Sequence, residues 1–189
     1  MNAVGWIRPC LLAVAAVCAQ GIALATEPAA LPDRSRDFDF LIGTWKATLQ
    51  RLDKPLTGST KWVEMHGRLT VRKILGGPAN TDEMVVENPE NGASSRGFTV
   101  RVYDSTLREW RIYWSPPNGG TLGIPVVGHF ENGEGNFYDQ EEWNGRMIFL
   151  RYRWHDISEN AAHFEQSFSI DGGKTWEPNW KTSYIRESK

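Results

Sequence analysis

Cysteine is nearly absent. The chain has 189 residues and only two cysteines, Cys10 and Cys18. Both fall within the first 25 residues, so everything downstream has no disulfide and no thiol nucleophile. Long hydrophobic runs are scarce too. Beyond an Ala-rich stretch near the N-terminus, no segment is apolar over a bilayer-spanning length. Basic charge is not in excess. Lys and Arg number 21 against 23 Asp and Glu, a net charge of −2, which excludes the basic face of a nucleic-acid binder. There is no Gly-rich phosphate loop and no Gly-x-Ser-x-Gly elbow. Helical periodicity is confined to a short cap over Phe38–Ile42, and no internal repeat occurs.

Residues 1–25 read as a secretory signal peptide. Arg8 supplies the positive n-region, Leu11–Val17 the short apolar core, and Ala23-Leu24-Ala25 the small-x-small cleavage site. Cleavage after Ala25 leaves 164 of the 189 residues, removes both cysteines and, with the loss of Arg8, takes the net charge from −2 to −3. The expected destination is the periplasm or the exterior. Residues 26–36, with Pro28, Ala29, Ala30 and Pro32, form a flexible lead-in without a core to bury. Residues 37–189 are long enough for a single domain with its own core.

That domain opens on Asp37-Phe38-Asp39-Phe40-Leu41-Ile42-Gly43-Thr44-Trp45, where a Gly-Thr-Trp step begins the first strand. Turn signals then recur at Asp53-Lys54-Pro55, Gly76-Gly77-Pro78, Glu90-Asn91-Gly92, Pro116–Gly120, Asn132-Gly133, Asn144-Gly145 and Asp171-Gly172-Gly173. Asn-Gly between extended segments marks a tight hairpin, because both central residues adopt positive φ. The spacing predicts an all-β chain of about ten strands, an antiparallel up-and-down barrel or a sandwich.

Strand parity divides the residues between two faces. The expected inward sets are Phe98, Val100 and Val102; Trp110, Ile112 and Trp114; Ile148, Leu150, Tyr152 and Trp154; Ala162, Phe164, Gln166 and Phe168; and Trp180, Thr182 and Tyr184. Arg101, Arg111, Arg151, Arg153 and Glu165 then face solvent. Trp62-Val63-Glu64-Met65-His66 has no clean face. Nine Trp, five Tyr and eight Phe are present, and only Trp6 lies in the leader. So many aromatics either fill a core or line a ligand cavity. The cavity reading places Trp62, Glu64, Trp114, Tyr152, Gln166 and Tyr184 around one interior site, open at the end away from Trp45.

Gly43-Thr44-Trp45 at the start and Arg186 in the last strand resemble the lipocalin and calycin pattern. In that pattern a final-strand Arg stacks on the first-strand Trp and closes the barrel base. Together with Val126–Phe130 and Trp176–Trp180, these segments look like an uncharacterised bacterial family of lipocalin-like domains, over roughly residues 38–186. The resemblance implies a calycin-type barrel and no settled activity. Ser169-Ile170-Asp171-Gly172-Gly173-Lys174-Thr175-Trp176 also resembles the Asp-box of sialidase-type propellers. A single copy cannot build a propeller, so it marks a hairpin.

Catalytic signals are few. His66, His129, His155 and His163 are widely spaced, without metal-ligand spacing, and no metal or cofactor is expected. Asp139, Glu141 and Glu142 read as a solvated strand edge. Glu64 and His66 share a strand face at a two-residue spacing, an acid/base pair or a surface ion pair. Three functions remain: a carrier of a small apolar or aromatic molecule; a barrel-mouth lyase, isomerase or hydrolase; and a haem barrel. The second would use Glu64 and His66, with Arg151 or Arg153 on an anionic group. The third would resemble nitrobindin, with His163 as the axial ligand.

The exported protein is expected to begin near Thr26 and to carry no thiol. Intact mass and thiol titration of the protein recovered from its native compartment check this, and a mass that retains Cys18 contradicts it.

Overall fold

Ten strands follow one another in chain order, each antiparallel to the next, and the last returns to pair with the first. The computed structural model describes Met1, residues 32–117 and residues 120–188. Apart from Met1, the expected leader and the lead-in up to residue 31 lie outside the described residues. A 3-10 turn at Asp39–Leu41 precedes β1 (Gly43–Leu52), β2 (Trp62–Ile74), β3 (Ala79–Glu87), β4 (Ser94–Asp104) and β5 (Glu109–Ser115). Then come β6 (Val126–Glu131), β7 (Glu134–Trp143), β8 (Arg146–His155), β9 (Ala161–Ser169) and β10 (Glu177–Ser188). The sheet closes on itself, and the sandwich alternative falls away. Asn132, Gly133, Asn144 and Gly145 all have positive φ, as the two-residue hairpins require.

Closure is made at one end by Trp45 and Arg186, which are register partners on β1 and β10. Trp45 is wholly buried. Its indole N–H donates to the Leu41 carbonyl at 2.7 Å, and the Arg186 guanidinium lies 4.0 Å above its ring. The same guanidinium donates to the carbonyls of Ile42 and Glu159, both at 2.6 Å, and to that of Phe40. One side chain thus ties the entry turn, β1, β10 and the β8–β9 turn together. Phe38, also fully buried, enters this end as a plug. Its ring meets Trp110 and Phe130 edge-on at 5.0 and 4.8 Å and stacks on Phe137 at 5.5 Å.

The inward faces of β5, β8, β9 and β10 follow the expected parity; that of β4 is reversed. Gly97, Thr99, Arg101 and Tyr103 are buried, whereas Phe98 is exposed and Val100 and Val102 only half-buried. Pairing dictates this. Thr99 lies opposite Trp114, Arg101 opposite Ile112 and Tyr103 opposite Trp110, and register partners share a face. With Trp110 and Ile112 inside, Arg101 must be inside as well. Gly97 marks the same phase: a Cβ there would sit 2.2 Å from the Trp114 ring, so only glycine lets that ring lie over the strand. On β2 the inward residues are the odd ones, including Leu69 and Val71, which turns Trp62, Glu64 and His66 outward.

The wall is not uniform. β6 meets β5 at only three register pairs, Trp110 with Gly128 to Ile112 with Val126. It ends against Tyr138 of β7. Asp139–Trp143 therefore runs past β6 and pairs only with β8 among the described residues.

Trp45→Ala is expected to cost roughly 3–5 kcal/mol of unfolding free energy. Arg186→Ala, which loses the ring contact and three carbonyl acceptors, is expected to cost roughly 2–4 kcal/mol. In a urea-denaturation double-mutant cycle the two losses couple; strict additivity would contradict the closure.

Candidate functional site

Above the Phe38 plug the barrel is hollow. A cavity of about 160 Å³ is lined by Leu69, Asp82, Met84, Thr99, Arg101, Ile112, Trp114, Tyr152, Trp154, Phe164, Gln166, Trp180 and Tyr184. A space of that size takes roughly one six-membered ring. A vestibule of about 510 Å³ shares Met84, Trp114, Gln166 and Trp180 with it and continues past Met65, Trp143 and Phe168 to the end away from Trp45. The walls are aromatic. Trp154 stacks on Tyr184 at 5.6 Å, and Phe164 meets Trp154 at 5.1 Å and Tyr152 at 5.2 Å. Trp114, partly exposed, stands at the junction of cavity and vestibule.

The floor is charged. Arg101 and Asp82 are 4% and 3% exposed. Arg101 Nη1 donates to Asp82 Oδ2 at 2.5 Å and to Asn80 Oδ1 at 3.0 Å. Its guanidinium lies 5.2 Å from the Phe38 ring centre and 5.9 Å from that of Trp154, between plug and cavity. Two polar atoms of the pair have no hydrogen-bond partner among the described residues, Arg101 Nε and Asp82 Oδ1. One is a donor and the other an acceptor, and both are shut away from solvent. Burial pushes the phenols of Tyr152 and Tyr184 up, so both stay protonated at neutral pH. Asp139 and Glu141 add to the shift at Tyr152, and Asp82 adds to that at Tyr184.

Of the residues expected at the interior site, Trp114, Tyr152, Gln166 and Tyr184 line the cavity. Gln166 Nε2 donates to Asn179 Oδ1 at 2.8 Å, the partner its burial demands. Trp62 and Glu64 do not join them. The Lys181 amine lies 5.0 Å from the Trp62 ring centre, and Glu64 is an exposed residue 3.7 Å from His66. The mixed polarity of their strand gave no phase, and pairing with β1 and β3 sets one that faces both outward. The barrel-mouth acid/base pair therefore stands on the outer wall, with its Arg residues. Arg153 grips Glu134 through two bonds of 3.0 and 2.7 Å. Arg151 lies 3.5 Å from Glu165 and 4.7 Å from the Trp176 ring centre. None of the four lines the cavity.

His163 is also outward, stacked on His155 at 5.4 Å, so it cannot ligate an iron within the barrel. The acidic run is split rather than solvated throughout: Glu142 is exposed, while half-buried Asp139 and Glu141 share the inward parity of Phe137. Burial, with the Asp139 charge, pushes the Glu141 carboxyl up. The Asp-box-like segment forms the β9–β10 hairpin loop. There Asp171 accepts from the Lys174 and Thr175 amides and the Thr175 hydroxyl, at 3.1, 2.9 and 2.7 Å. Those bonds, the Thr175 amide foremost, hold its carboxyl down to about 2.

Residues that parity missed are Arg101 and Asp82. Gly97, four positions before Arg101, was the available signal, since a glycine inside a strand marks close approach by a neighbour.

No protein-family model matches the chain, and no curated protein matches it. Solved structures do. An S-type phycobiliprotein lyase from Guillardia theta superposes with a TM-score of 0.57 at 11% identity, over 81% of this chain and 92% of that one. The fold is lipocalin-like. A structure of EF1p2_mFAP2b bound to DFHBI aligns over 82% of this chain and 99% of its own at 12% identity, with a TM-score of 0.44. No helix among the described residues is long and apolar enough to cross a membrane.

Arg101→Met leaves Asp82 as an unpaired buried charge and is expected to cost roughly 3–5 kcal/mol, whereas Arg101→Met with Asp82→Leu is expected to recover most of that loss. Urea denaturation of the two variants checks this. A single variant as stable as the outer-wall Arg111→Ala would contradict the buried pair.

Proposed function

We propose that the barrel binds one small aromatic or apolar molecule whose polar edge is neutral and offers both a donor and an acceptor, such as a carboxamide or lactam. The observation that carries this is the cavity itself: an aromatic chamber of about 160 Å³ above a buried Arg101–Asp82 pair with one free donor and one free acceptor. Leaving such atoms unsatisfied costs roughly 1–3 kcal/mol each. Both atoms are sealed from solvent, so a ligand that meets both recovers that cost by drawing the pair a short way into the cavity. A carboxylate would satisfy Arg101 and repel Asp82, and a fatty chain would satisfy neither. The aromatic faces of Tyr184, Trp154 and Phe164 suit a ring, and the vestibule has room for a substituent. The phycobiliprotein lyase shares the barrel and lends its fold to the proposal. Export is part of the same proposal and rests on the leader.

Tryptophan fluorescence supplies the test, because Trp114, Trp154 and Trp180 line the cavity. Benzamide is expected to bind more tightly than benzoate or laurate. Trp114→Ala and Tyr152→Ala are expected to weaken binding at least tenfold, while Arg111→Ala leaves it unchanged. If no probe perturbs the fluorescence, or benzoate outcompetes benzamide, the proposal fails.

A further inference from the structure

The β8–β9 hairpin carries a second cluster of polar groups, on the outside of the wall. His155 and His163 form the last register pair of these two strands, and their rings stack 5.4 Å apart at 28°. Asp156 follows immediately with a left-handed φ of 48°, a conformation that Asp tolerates better than most residues. Its Oδ2 stands 2.8 Å from His155 Nδ1 and 3.4 Å from His163 Nδ1. All three candidate ligand atoms lie within 4.8 Å of one another. His163 Nδ1 is sealed from solvent and makes no hydrogen bond among the described residues.

We propose that His155, Asp156 and His163 form a binding site for a divalent transition metal of the Zn²⁺ class. Metal–nitrogen and metal–oxygen bonds of roughly 2.0–2.2 Å place ligand atoms about 3–3.5 Å apart around a tetrahedral ion. The Asp156–His163 contact of 3.4 Å already has that spacing, and the Asp156–His155 contact of 2.8 Å is a little shorter. Two imidazoles and one carboxylate suit Zn²⁺, Ni²⁺ or Cu²⁺, whereas Ca²⁺ and Mg²⁺ take oxygen ligands. Three protein ligands leave one position for water.

The Asp156 carboxylate supplies the negative charge a cation needs. Glu134 and Arg153, joined to each other by two bonds, both act on Asp156 and offset one another there, so the net negative charge at the site is that of Asp156 itself. The turn is held in advance of any metal. Ser158 N–H donates to the Ala161 carbonyl at 2.8 Å, Ala161 N–H donates to Ser158 Oγ at 3.0 Å, and Arg186 N–H donates to the Asn160 carbonyl at 3.0 Å. Binding there tightens the turn that the closing arginine grips, so the metal is expected to raise thermal stability by mass action. The site lies on the outer wall, and its success or failure leaves the interior cavity untouched.

The test is calorimetric titration of the full chain, untagged, EDTA-stripped and carrying Cys10→Ser and Cys18→Ser, with Zn²⁺ and with Ca²⁺. Thermal denaturation is followed in parallel. The expected result is one Zn²⁺ per chain with a raised Tm, and no Ca²⁺ binding. Affinity should fall at least tenfold in His163→Ala and in His155→Gln. His155→Gln keeps a polar group beside Asp156 and serves if His163→Ala fails to fold. Absence of Zn²⁺ binding overturns the proposal, and so does binding that both histidine variants leave unchanged.

Discussion

A barrel exists only if its first and last strands meet, and here that meeting rests on one arginine over one indole. The Arg186 guanidinium covers the Trp45 ring and takes up three carbonyls from two separate turns. A planar cation with donors on its rim can stack and hydrogen-bond at once, which an ammonium cannot do as well. Trp45 in turn anchors the 3-10 turn through its indole N–H, and the turn delivers Phe38 into the base. The plug in turn supports the cavity floor, since the Arg101 guanidinium lies 5.2 Å from the Phe38 ring centre.

Much of this was legible in the primary structure. The Asn-Gly pairs announced hairpins because few other dipeptides accept positive φ at both positions. Gly43-Thr44-Trp45 and Arg186 marked the two ends of the closure. Alternation also identified Trp114, Tyr152, Gln166 and Tyr184 as inward, since their strands carry aromatics on one parity and charges on the other. Phe98, Val100 and Val102 misled for the same reason. Their apolar character suggested an inner face, but register is decided across strands, and pairing with Trp110 and Ile112 puts Tyr103 and Arg101 inside instead. A charged side chain such as Arg101 is placed inside only when a partner waits there, and Asp82 lies 19 positions earlier on another strand.

Trp62 and Glu64 were illegible for a different cause. Their segment has apolar and polar residues on both parities, so its phase comes wholly from neighbours in the sheet. The His155–Asp156–His163 group escaped because metal-site spacing is usually sought along the chain, whereas these histidines face each other across a hairpin. In both cases the missing information was pairing, which local sequence does not encode.

The short sixth strand has a consequence for how the protein behaves among its neighbours. Beyond the end of β6, Asp139–Trp143 has no ladder partner on that side among the described residues, and an unpaired strand margin is the kind of surface on which another chain can add by backbone pairing. Asp139 and Glu141 sit on that margin with their carboxylates turned toward the interior. A visiting strand would have to seal them from water, at a penalty that rises once they are ionised. Backbone pairing by a second copy along this stretch would therefore carry the cost of burying two carboxylates.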